Sequence, residues 1–117
     1  MTGSIIAGRV EPRELCGALR SGVMLALIDV RPESAYSARH LIHAGSLPRR
    51  DLEIALPARV PLHCPIVVCD EADAGEARDA AADLLAWGYR DVRILAGGVV
   101  GWERAGLPVY GGMHTYS

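Results

Sequence analysis

Cysteine is scarce in this chain. Three stand among 117 residues, an odd number, and no two form a Cys-x-x-Cys pair. That count and spacing argue against a disulfide framework and against a zinc site, and a reduced, cytoplasmic setting is expected. Long apolar runs are missing as well: no segment approaches the roughly 20 residues of a membrane span. The first residues lack a basic region followed by an apolar core, so no secretory signal is read there. No internal repeat or low-complexity tract is present. Nor is there an excess of charge of one sign. The net charge of −2 and a pI near 6.0 argue against nucleic acid or an anionic membrane as partner.

What is present is enough for one packed domain. Half of the residues are hydrophobic and 22% are charged, and the length suits a single core. Ile5-Ile6 reads as a short edge strand. Glu11-Pro12 opens a helix running to about residue 22, with proline in the first turn where its missing N–H costs nothing. Residues 24–29 are a continuous apolar run ending in Asp29, as in a strand buried on both faces. A short helix over 31–39, a short strand over 44–47 and a helix over 50–56 follow, the last broken by Pro57. Residues 91–95 form another strand, Ala96-Gly97-Gly98 a turn, and 99–105 a last helix ended by Gly106 and Pro108. Strands alternating with helices predict an α/β fold, a mainly parallel sheet with helices on both faces. Ligands of such sheets sit beyond the carboxyl ends of the strands, where Asp29, Arg31, Cys69, Gly97 and Gly98 lie.

The central stretch is 65–88. Pro65-Ile66-Val67-Val68-Cys69 reads as a buried strand. Asp70-Glu71-Ala72-Asp73-Ala74-Gly75 is a polar loop, and an Ala/Leu-rich helix runs from there to Trp87-Gly88. Asp73 and Glu76 have the spacing of a capping box, and Gly88 suits the left-handed residue that ends a helix. A cysteine at a strand end, before a loop and a helix N-terminus, is a position that favours an activated thiol.

Three ordered pieces of the chain resemble the rhodanese-like domain family. The first is Asp29-Val30-Arg31 followed by Glu33, Tyr36 and His40-Leu41-Ile42-His43-Ala44. The second is Pro65-Ile66-Val67-Val68 with the loop and helix. The third is Gly88-Tyr89, Leu95-Ala96-Gly97-Gly98, Trp102 and Ala105-Gly106-Leu107-Pro108. The resemblance covers nearly the whole chain and implies a rhodanese-like domain over 1–110, with 111–117 a tail or the start of a linker. It also implies a sulfurtransferase loop whose first residue is a cysteine that carries sulfane sulfur as a persulfide, taken from a small sulfur donor. The chain departs from that pattern. Cys69 falls one position early and Asp70 falls at the catalytic position. The loop counted from Cys69 is longer than usual, with Arg78 as its next basic residue. Arg39, Ile42 and His43 replace residues usual in the early signature. The loop sequence is similar to that of leading domains in tandem multi-rhodanese proteins, which implies further rhodanese domains of the same chain, or a partner protein, as partners.

Two readings of Cys69 stand. As a catalytic nucleophile it has the right place. Against this, Asp70, Glu71, Asp73 and Glu76 set four carboxylates beside it with no Lys or Arg among them. One like charge at about 4 Å costs on the order of 4 kcal/mol at an effective dielectric near 20, more than the roughly 0.3–1 kcal/mol of a helix dipole. As a structural cysteine it is a small buried hydrophobe. Asp70 cannot carry sulfur and is expected to accept loop N–H groups and cap the helix. Glycine, not arginine, stands six after Cys69, which disfavours a cysteine phosphatase, and the acids lack the alternation of a calcium loop. Asp29 and Arg31 are expected to serve the fold, Arg31 pairing with Asp29 or with the acidic loop. His40 and His43 are too few for a metal site, and no cofactor is expected. Trp87 and Trp102 are expected in the core, and Arg49, Arg50 and Arg59 on a solvated face.

Overall fold

The computed structural model describes residues 8–111. Five strands and five helices alternate: β1 Gly8–Val10, α1 Pro12–Arg20, β2 Ala26–Asp29, α2 Glu33–Ala38, β3 Gly45–Ser46, α3 Leu52–Arg59, β4 Ile66–Cys69, α4 Glu76–Ala86, β5 Val92–Leu95 and α5 Gly98–Arg104. A 3₁₀ turn, Arg49–Asp51, leads into α3. The sheet is parallel throughout, in the order β1-β5-β4-β2-β3. The fold is therefore α/β with a parallel sheet, as the alternation predicts. The strand expected at Ile5-Ile6 and, of the tail expected at 111–117, all but Gly111 lie outside the described residues. Among the described residues no helix is long and apolar enough to cross a membrane.

The central strand β4 sorts its side chains by the two-residue period. Ile66 and Val68 join Leu52 and Leu56 of α3 and the Ala77, Ala80, Ala81, Leu84 stripe of α4. Val67 and Cys69 join Leu15 of α1 and Val99 and Trp102 of α5. The alanines repeat at helical spacing and are small, so α4 lies close against the sheet. Helix α4 ends as Gly88 implies: Gly88 has φ +106, its N–H donates to the carbonyl of Leu85, and that of Tyr89 donates to the carbonyl of Leu84, the paired bonds of a Schellman motif.

Pro57 is a correction. It lies inside α3 and does not end it. The ring removes the bond that would reach the carbonyl of Glu53. Both residues are exposed, so water satisfies that carbonyl, and the buried contacts of Leu52 and Leu56 hold the helix across the gap.

Helix α5 is fastened to the loop after β4. The N–H groups of Val99 and Val100 donate to the carbonyls of Asp70 and Glu71, each at 2.9 Å. Gly98, at φ +62, lies so close that a Cβ there would stand 2.6 Å from the Asp70 carbonyl oxygen and 2.8 Å from the Ala72 nitrogen. Only glycine fits both the dihedral and the space. Gly98→Ala should therefore cost about 2–4 kcal/mol of stability, read from urea unfolding; a loss no larger than that of an ordinary surface substitution would show that the loop and α5 yield freely.

Candidate functional site: an acidic loop capped by Asp70

The loop at residues 70–75 carries the expected site residues to the carboxyl edge of the sheet. Asp70 is 2% exposed. Its Oδ1 accepts the N–H of Asp73 at 2.6 Å, and its Oδ2 accepts the N–H of Ala77, in the first turn of α4, at 2.8 Å. The carboxylate fills the loop and caps the helix from inside it. The capping box expected at Asp73 and Glu76 does not form. Asp73 takes φ +59, a left-handed conformation that aspartate tolerates. Its carboxylate turns toward the sheet, where Arg9 Nε and Nη2 donate to it at 2.9 and 3.1 Å and the Gly97 N–H at 3.3 Å. The position just before the helix belongs to Gly75, at φ +124. Ala72 and Ala74 are exposed on the loop surface. Arg78, in the first turn of α4, lies against Gly75.

Cys69 is fully buried. It stands in register with Asp29 on β2, and its side chain packs in the α1/α5 core, away from the N–H groups that Asp70 occupies. Burial is the largest influence on its thiol and pushes its pKa well up; Asp29 adds to this, Arg31 opposes it, and Asp70 adds again. The crowd of loop carboxylates is therefore a lesser influence on this thiol than desolvation.

Two of those carboxylates, Glu71 and Asp73, are paired with arginines. Arg31 is 1% exposed. Its Nε and Nη2 donate to Asp29 at 3.0 and 2.7 Å, its Nη2 also to the Arg39 carbonyl, and its Nη1 to Glu71 Oε1 at 2.9 Å. Burial would lower the Arg31 pKa, but the bonds to Asp29 and then Glu71 outweigh it and hold the guanidinium charged. Arg39 Nη2 donates to Glu71 Oε2 at 2.7 Å and Arg39 Nε to Glu103 Oε1 at 3.0 Å. Asp29, Arg31, Glu71, Arg39 and Glu103 thus form one chain of alternating charge over the loop. Arg31 makes both of the pairings expected of it. The parts that Arg9, Arg39 and Glu103 play are absent from the sequence-based expectations. Their partners lie 64, 32 and 64 residues away in sequence, so no local pattern marks them; only Arg39 stood out, as a departure from the early signature.

Elsewhere, an open groove of about 980 Å³ runs beside the loop, lined by Pro48, Arg49, Ile54, Arg59, Asp83 and Trp87 among others. None of residues 69–75 lines it, so the chemistry-bearing loop and this groove are separate features. Trp102 is buried as expected, whereas Trp87 is only partly buried and lines the groove. Among the described residues no three His, Cys, Asp or Glu side chains converge as metal ligands would.

The profile of the rhodanese-like domain family matches residues 11–105. The chain belongs to the rhodanese-like domain family. No curated protein matches it. Among solved structures, the rhodanese-like chain is similar to a thiosulfate sulfurtransferase from Pseudomonas aeruginosa, at 37% identity and a TM-score of 0.84 over 90% of this chain and 20% of that one. It is also similar to the Alr3790 protein from Anabaena sp., at 26% identity and TM-score 0.84 over 89% and 93% of the two chains. A third likeness is to the BH2092 protein from Bacillus halodurans, at 25% identity and TM-score 0.83 over 90% and 77%. The chain therefore spans about a fifth of the Pseudomonas protein and most of the other two.

Two measurements check the loop. Asp70→Ala removes the acceptor of two N–H groups and should cost about 2–4 kcal/mol, whereas Asp70→Asn keeps one acceptor oxygen and should cost about half as much; equal costs in urea unfolding would mean that the carboxylate is not the cap. Acid titration of stability checks the pairs. The Arg39 bond holds the Glu71 pKa low, with Arg31 assisting against partial burial. The Arg9 bond does the same for Asp73, with the Gly97 N–H and the Arg78 charge assisting. With folded pKa values below unfolded ones, the unfolded chain binds more protons, so this stability is full above the ordinary carboxylate range near pH 4 and is lost as pH falls through the lower folded values. Arg39→Ala should shrink the part of that loss due to Glu71, and an unchanged acid limb would exclude the pair as its source.

Proposed function

We propose that this chain is a rhodanese-like module that does not itself transfer sulfur and acts by binding, either to further rhodanese domains of the same polypeptide or to a partner protein in the cytoplasm. One observation carries the reading: the Asp70 carboxylate takes the N–H groups of Asp73 in the loop and Ala77 in α4, while Cys69 packs in the core. A sulfur carrier needs its thiolate where a donor can reach it and where N–H groups hold the charge. A buried thiol with a raised pKa meets neither need, and a carboxylate cannot form a persulfide.

The second reading, an atypical sulfurtransferase that carries sulfane sulfur on Cys69 from a small sulfur donor, draws on the likeness to the Pseudomonas thiosulfate sulfurtransferase. That likeness involves a fifth of the larger protein.

Cyanolysis of thiosulfate separates the two. The native chain should form no more thiocyanate than its Cys69→Ala variant, and mass spectrometry after thiosulfate treatment should find no added sulfur on Cys69. Thiocyanate production that disappears in Cys69→Ala would overturn the proposal. Asp70→Cys places a thiol among the loop N–H groups and should be alkylated by iodoacetamide far faster than Cys69 in the native chain; equal rates would mean that the loop does not favour a thiolate.

A further inference from the structure

Two guanidinium groups converge on a single carboxylate at the mouth of the loop. Arg31 is buried and fixed from behind by Asp29 and by the carbonyl of Arg39, so only its Nη1 is directed outward. Arg39 comes from the end of α2 and takes both Glu71 oxygens, at 2.7 and 3.5 Å. The carboxylate between them belongs to a side chain that is 51% exposed. The receptor is therefore more buried than the group it holds: Arg31 is enclosed, Arg39 is partly buried and braced by Glu103, and the Glu71 side chain sits at the surface. Planar guanidinium forks set on two oxygens are the arrangement by which proteins bind carboxylates and other oxyanions.

We propose that Arg31 and Arg39 form a carboxylate-binding site that Glu71 occupies in cis, and that a ligand's carboxylate takes the same place when Glu71 is withdrawn. The charge count limits the ligand class. Asp29 offsets one guanidinium and Glu103 the other, so the empty clamp is neutral; a monoanionic carboxylate leaves it at −1, as Glu71 does, whereas a dianion such as thiosulfate would leave it at −2. The Glu71 backbone stays in place without its side chain, because its carbonyl is held by the Val100 N–H. The tethered side chain competes at the high effective concentration of an intramolecular group, so the native chain is closed to free carboxylates.

Glu71→Ala opens the clamp, and formate is the probe. The Nε–H resonances of Arg31 and Arg39 in Glu71→Ala should shift saturably as sodium formate replaces sodium chloride at constant ionic strength, and the melting temperature should rise with them. Formamide, a neutral analogue of similar shape, should do neither. The native chain should respond about tenfold more weakly or not at all, and Glu71→Ala with Arg39→Ala should lose the response. Glu71→Gln, which keeps the side chain's volume, should respond less than Glu71→Ala. The proposal is overturned if Glu71→Ala responds no more than the native chain, if formamide acts as formate does, or if the response survives removal of Arg39.

Discussion

The structure turns on the buried pair of Arg31 and Asp29. A guanidinium excluded from water is costly unless each of its faces finds an acceptor. Here Asp29 supplies two oxygens, the Arg39 backbone a third and Glu71 a fourth. Because those acceptors come from the end of β2, the end of α2 and the loop after β4, satisfying one cation draws three segments together. Their convergence closes the carboxyl edge of the sheet over Cys69. Removing Asp29 would leave a buried charge without its main partner, so this pair cannot be lost piecemeal.

Much of the fold was legible because its rules are local. The alternation of apolar runs with helical stripes, the proline that opens α1 and the glycine that closes α4 each act within a few residues. The inward aim of Cys69 also follows from a local rule, since Val67 and Cys69 share a face of β4 by the two-residue period. The site was less legible. Its electrostatics looked prohibitive from the sequence because Asp70, Glu71, Asp73 and Glu76 stand without a cation among them. Three arginines arrive instead from β1, the end of β2 and the end of α2, brought by topology. Of the two caps expected, the box at Asp73 fails for a related reason: its left-handed backbone turns the carboxylate to Arg9, while Asp70 reaches the helix as expected. Pro57 was read by its usual effect on a hydrogen bond, while the packing of Leu52 and Leu56 decided the outcome.

The loop's chemistry rests on a register of one residue. Along a strand, each step turns the side chain to the other face, and beyond Cys69 the next residue points into the loop. On the reading proposed above, the position that the resemblance gives to a thiol is filled by a carboxylate, which accepts the N–H groups of Asp73 and Ala77 as an anion would, so the loop holds its form without a thiol there.

Strand β1 pairs with β5 alone, yet it carries Arg9, which holds Asp73 in the loop. The ends of that contact are separated by 64 residues, and closing so long a span is paid for in chain entropy once, when the edge strand docks. Loop order and edge-strand docking are thus linked equilibria: detaching β1 would cost the loop one of its three arginines, and whatever steadies the loop also steadies the edge. Among the described residues, an event at the margin of the sheet reaches the loop through the bidentate bond of Arg9 to Asp73.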